Sequence, residues 1–150
     1  MPKPSKTGKL PSTARSLPIA LIRAREKVMS PIREMLSENK ITEQQWRVLR
    51  VLSEFGAMDA TEVGDHAGLH LPSLTRILRT LSERGFLSRT QDEIDRRRQV
   101  LVLTAEGQAV IDGNMEHAAR IVTAYKEDLG EENYEQLLDL LGKLTSFKFP

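Results

Sequence analysis

Apolar positions recur along this chain at a helical period nearly everywhere, and the main interruption is a short stretch rich in β-branched residues. From residue 18 to 38, Leu21, Ala24, Val28, Ile32 and Met35 fall on one stripe and predict a first helix. Pro31 is expected to kink that helix or to restart it, with Ser30 as the new N-cap. Thr42 is placed to cap a second helix over 43–54, with Trp46, Leu49, Leu52 and Phe55 on its apolar side. Two shorter helices follow between 59 and 84, joined by a turn at Gly68. Val63, Ala67 and Leu69 before or at the turn, and Leu74 and Ile77 after it, are spaced so that these two helices bury against each other. Gly64 is small enough to let them cross closely. Further on, Thr104 caps a long helix over 105–128 and Gly130 ends it. A last helix over 131–146 carries Leu137, Leu138, Leu141 and Leu144 on one face.

The paired short helices read as a helix-turn-helix. The second of them is well punctuated: Pro72 suits the first helical position and Gly85 the residue just past the end. Leu74, Ile77, Leu78 and Leu81 share its inner face, whereas Arg76, Arg79, Thr80 and Glu83 point away. Ser73 and Thr75 project from its N-terminal turn. Arg, Ser and Thr on one polar face suit the reading of base edges in a major groove. An ordinary amphipathic helix with a solvated face would show the same pattern. The residues after Gly85 shift the balance. Runs 86–90 and 98–103 are β-prone, and the polar stretch 91–97 between them suits a hairpin tip. Arg96, Arg97 and Arg98 sit at its returning edge, where strand alternation would turn Arg97 away from its two neighbours. An arginine run alone is a solvated surface; beside a helix-turn-helix it reads as a wing whose tip enters a minor groove.

Asp95-Arg96-Arg97, followed by Val100 to Gly107 (VLVLTAEG), resembles the DxR wing motif and the LT-x-x-G helix start of the MarR family of winged-helix transcriptional regulators. The resemblance runs from about Leu17 to Phe147. Segments 17–30 (LPIALIRAREKVMS) and 41–47 (ITEQQWR) are similar to the HpaR branch, which represses operons for homoprotocatechuate and hydroxyphenylacetate breakdown. This implies a mainly α fold with a small β-hairpin wing: a winged helix-turn-helix over about 41–104, with dimerisation helices at about 18–38 and 105–148. It also implies that Asp95 holds Arg97 in place and that Arg97 is the minor-groove residue. Terminal helices would form a two-fold dimer, setting two recognition helices about one DNA turn apart on a pseudo-palindromic operator.

Composition agrees with a protein of this kind. The 150 residues are one domain's worth, no apolar run approaches a membrane span, and cysteine is absent, which excludes disulfides and thiolate metal sites. A cytoplasmic location is the natural expectation. Net charge is only +1, but it is unevenly placed. Residues 1–27 hold seven Lys/Arg against one acid, and 72–98 hold seven Arg against four acids. From 105 onward, four basic residues face nine acidic ones. Positive charge thus lies on the expected DNA side, as electrostatic steering requires. Residues 1–16, rich in Lys, Pro, Ser and Thr, read as a flexible arm. Catalysis finds no support: there is no Gly-rich phosphate loop, no GxSxG and no HExxH, and a turn separates His66 from His70. No cofactor or metal is called for.

Two residues stand out as ligand candidates. Arg25 lands in the apolar stripe of the first helix, where a cation needs an anionic partner. Either an acid from another helix or subunit meets it, or it anchors the carboxylate of a small aromatic acid, the ligand that the resemblance implies. Trp46, the only tryptophan, is either core or a pocket wall for a phenyl ring. The DNA-binding set is Ser73, Thr75, Arg76, Arg79, Asp95, Arg96 and Arg97. A winged helix used for protein contact or for sequence-neutral DNA binding, without ligand response, is the alternative.

Overall fold

The computed structural model describes residues 10–150, and over these the periodic segments become six helices and one antiparallel hairpin. Residues 1–9 of the expected arm lie outside the described residues; of the rest, 10–15 are exposed and hold one 3-10 turn, Thr13–Arg15, and Ser16 is half-buried. Helix α1 (Leu17–Ser37) passes through Pro31 without restarting, so Ser30 is a mid-helix residue and caps nothing. Proline removes a single i→i−4 bond there. Packing resumes beyond it, with Met35 and Leu36 buried, and that favours continuing the helix.

Thr42 begins α2 (Glu43–Phe55) with a full capping box. Its hydroxyl accepts from the Gln45 N–H at 3.1 Å, and the Gln45 side chain accepts from the Thr42 N–H at 3.0 Å. Asp59 caps α3 (Ala60–Ala67), which ends at Gly68 in the left-handed conformation. Helix α4 (Leu71–Glu83) starts one residue earlier than the sequence suggests, so Pro72 takes the second helical position. That shift is harmless, because the N–H groups of the whole first turn lack helical partners. Gly64 lets α3 and α4 cross as expected: a Cβ there would lie 3.0 Å from the Leu69 carbonyl oxygen and 3.2 Å from Leu74 Cδ2.

Strands β1 (Leu87–Gln91) and β2 (Gln99–Leu103) pair antiparallel, with Leu87 opposite Leu103 and Gln91 opposite Gln99. A third segment joins at one point. Met58 and Leu101 exchange backbone hydrogen bonds of 2.8 and 3.3 Å, tying the hairpin to the residue just before α3. Leu36, Val48, Leu49, Val63, Leu74, Leu78, Leu81, Leu87 and Leu101 form the centre of the core.

Helices α5 (Ala105–Leu129) and α6 (Glu131–Thr145) complete the chain, with Thr104 capping α5 and Gly130 between them. α5 packs on α1, α2 and α6, but α6 buries no residue. Leu137, Leu138 and Leu140 on α6 stay 42–54% exposed, and the N-terminal half of the α1 stripe, including Leu21 and Val28, is also exposed. Among the described residues no helix is long and apolar enough to cross a membrane.

Candidate nucleic-acid interface

Helix α4 forms a ridge held from beneath by Leu74, Leu78 and Leu81. Its outward residues Ser73, Thr75, Arg76 and Arg79 are all exposed. The Thr75 hydroxyl donates to the Leu71 carbonyl at 3.0 Å, so toward a partner it offers lone pairs. An open hollow flanks the ridge on each side. One, of about 420 Å³, lies against the hairpin and is lined by Thr75, Arg79, Ser82, Glu83 and Arg89. The other, of about 320 Å³, lies toward the start of α2 and includes Gln44, Ser73 and Arg76. Arg89 was not among the expected site residues, although it extends the cationic surface of α4 onto β1. Its signal, a lone arginine in a strand, becomes informative only once the strand is seen beside α4.

At the wing tip, Arg96 and Arg97 form a turn and do not continue β2, so strand alternation does not govern their directions. The chain needs this turn because Asp92 and Arg98 already close the hairpin: the Asp92 N–H donates to the Arg98 carbonyl at 2.9 Å. Asp95 accepts the Arg97 N–H at 3.1 Å, and its carboxylate lies 3.7 Å from the Arg97 guanidinium, which is 96% exposed. Arg98 departs from its neighbours. It turns back to Asp59 (2.8 Å), Asp92 (3.2 Å) and Glu62, joining the hairpin to α3. A backbone N–H bond from Glu62 and the Arg98 guanidinium hold the Asp59 carboxyl below its ordinary pKa, and Asp92 is lowered by the Ile94 N–H and by Arg98. Both therefore remain anionic through the neutral range.

Arg25 meets an acid. Its guanidinium donates to Glu43 at 2.9 Å; Glu43 is buried at 7% exposure, while Arg25 remains 59% exposed. Glu43 is also paired with Arg47 at 2.9 Å, and Arg47 donates to the Ala67 carbonyl at 2.7 Å. A chain of charges therefore runs from α1 through the first turn of α2 to the end of α3, beside the turn that leads into α4. The Glu43/Arg47 spacing of four residues was legible as a helical pair; its extension to Arg25 and Ala67 was not. Trp46 lies in the core at 5% exposure. His66 stacks on Phe55 with ring centroids 4.3 Å apart, and no group of three or more potential metal ligands occurs among the described residues.

Comparison with known proteins places this geometry. Residues 41–98 match the model described as MarR family. The chain is 38% identical to the HTH-type transcriptional regulator FarR of Neisseria gonorrhoeae over 89% of its length and 91% of that protein. It is 35% identical to the homoprotocatechuate degradative operon repressor of Escherichia coli, over 84% of this chain and 85% of the repressor. Among solved structures, NadR in complex with 4-hydroxyphenylacetate superposes with a TM-score of 0.80 at 37% identity, covering 94% of this chain and all of that one.

Proposed function

Because the chain belongs to the MarR family of transcriptional regulators, we propose that it acts as a homodimer that binds a pseudo-palindromic operator and represses an aromatic-acid catabolic operon. One observation carries the DNA part: the exposed polar face of α4, with Ser73, Thr75, Arg76 and Arg79, continues onto the hairpin through Arg89, which lines one hollow with Thr75 and Arg79, and the same hairpin ends in the exposed Arg96 and Arg97. Phosphate contact supplies affinity, and the base-edge contacts of the short polar side chains and arginines supply sequence preference. In this reading the winged module spans about 41–104, and α1, α5 and α6 form the dimer. The support is the row of apolar side chains left exposed on those helices, which a second copy would cover. A regulator of this kind works in the cytoplasm. Its relatives are transcriptional regulators, and nothing in its site calls for enzymatic chemistry.

The effector part rests on kinship with the homoprotocatechuate operon repressor and with NadR, whose structure holds 4-hydroxyphenylacetate. A small aromatic carboxylate between the dimer helices and the winged lobe would compete with Glu43 for Arg25, near the α2 segment that carries Trp46. DNA release requires that the acid bind more tightly to a lobe spacing that mismatches the operator. Arg25→Ala is expected to raise the acid concentration needed for release at least about tenfold, the order lost with one charge-assisted pair. Operator affinity without acid should stay close to wild type, since Glu43 keeps Arg47. A wild-type acid response in the variant would return Arg25 to a purely structural role.

The deciding experiment is footprinting on the intergenic DNA beside the protein's own gene, with and without 4-hydroxyphenylacetate and homoprotocatechuate. Protection over a palindrome, abolished by these acids, is the expected result. Protection indifferent to both acids removes the effector assignment. A steep salt dependence without sequence preference would favour a non-specific DNA-binding protein, and no DNA binding at all would favour a protein-contact module.

A further inference from the structure

Two-stranded hairpins are marginal on their own, and the twist between their strands varies from about −10 to −35°. Here the backbone pairing of Met58 with Leu101 secures the inner half. Arg97 lies four residues from Leu101, two of those steps within β2 and two in the tip, so the lever is at most about 13 Å, its length at full strand rise. Swinging that lever through the natural range of twist would carry the tip by up to about 6 Å, comparable with the roughly 6 Å width of a minor groove. Something must hold the outer half if the tip is to meet one groove at a fixed offset from α4.

Arg98 is placed to do this. Among the described residues, no hydrogen bond or ion pair other than those of its guanidinium ties residues 91–98 to the helices. Nε donates to Asp59, the cap of α3, and Nη2 to Glu62 one turn into the same helix. Nη1 reaches Asp92 on the opposite side of the tip at 3.2 Å. The planar fork thus bridges both ends of the tip loop to the helix that packs against α4. It is not needed to start α3, because Asp59 caps the Glu62 N–H through its other oxygen at 2.9 Å.

We propose that Arg98 is a positioning residue that sets where the wing tip, and with it Arg97, stands relative to α4, and so which flanking base pairs the protein prefers. This rests on the reading that Arg97 enters a minor groove. Arg98 itself contacts no DNA; it acts through Arg97.

Two measurements test it. The first needs no DNA. The chain has no cysteine, so nitroxides can be attached at Ile94→Cys on the tip and Glu83→Cys on α4, with unlabelled protein in excess. A narrow distance distribution in this pair should broaden when Arg98→Ala is added, and, to a lesser extent, when Asp92→Asn and Glu62→Gln together neutralise two of its three acidic partners but keep the guanidinium and Asp59. An unchanged width overturns the proposal. The second is a double-mutant cycle of Arg97→Ala and Arg98→Ala on the footprinted palindrome, with A·T or G·C flanks under the wings. Arg98→Ala should cost roughly tenfold on the A·T-flanked duplex and erase the preference for it, yet add nothing once Arg97 is gone. Additive losses on both duplexes would make Arg98 a general stabiliser and overturn the proposal. No effect of Arg97→Ala alone would instead defeat the minor-groove reading, while the distance measurement still reports on Arg98.

Discussion

Gly107→Ala is expected to destabilise the protein by about 3 kcal/mol or more, lowering the melting temperature by roughly 10 °C at matched protein concentration. A Cβ on Gly107 would lie 2.1 Å from the Phe86 carbonyl oxygen and 2.6 Å from Leu103 Cδ1. The first of these is backbone and cannot turn aside. It is held in place because the Phe86 carbonyl accepts the Thr104 N–H at 3.2 Å, while the Thr104 hydroxyl donates to the Gly85 carbonyl at 2.6 Å. That hydroxyl in turn accepts the Gly107 N–H at 3.1 Å to cap α5. The start of α5 is therefore jammed against the chain that leaves α4, and only a residue without a side chain fits there. Helix propensity alone would favour alanine over glycine by about 1 kcal/mol, so the two effects have opposite signs. Thermal unfolding followed by circular dichroism decides between them; a melting temperature equal to wild type or higher would show that the α5 start can move aside.

Arg97→Ala should weaken operator binding about tenfold to a hundredfold, leaving the fold and the dimer intact. At 96% exposure the side chain contributes nothing to packing, and its one ionic contact, to Asp95 at 3.7 Å, is too exposed to matter for stability. In the proposed complex, the variant loses a cation that would enter a narrow minor groove, where negative potential is concentrated. Anisotropy titrations at several salt concentrations should show the lower affinity and a salt slope shallower by about one counterion. Wild-type affinity would remove the wing tip from the interface and leave recognition to α4 alone.

Arg97 was singled out from the sequence, whereas Gly107 stood there only as the end of the LT-x-x-G segment, and the contact that forbids it a side chain comes from Phe86, 21 residues back. Capping and turn chemistry involve neighbours within about four residues. Hence Thr42 and Thr104 as caps, Gly68 as the turn and the α4 stripe of Leu74, Leu78 and Leu81 could be read without any tertiary information. The apolar stripes of α1 and α6 were equally legible, and so was the unequal spread of charge.

Contacts between segments distant in the chain were not legible. Arg98 stands in a row with Arg96 and Arg97, yet it turns inward because Asp59, 39 residues away, is brought beside it by the Met58–Leu101 pairing. Pro31 left a kink or a restart open, and the helix continues through it without a restart, with Met35 and Leu36 buried in the turn beyond. Arg25 left two readings open on its stripe, and Glu43, 18 residues on, supplied the acid. Periodicity told which face of each helix is apolar and which residues cap it, because one turn of chain contains that information. Which charges meet was decided only by the packing of α1, α2, α3 and the hairpin, because an ion pair depends on a distance in space that sequence separation does not encode.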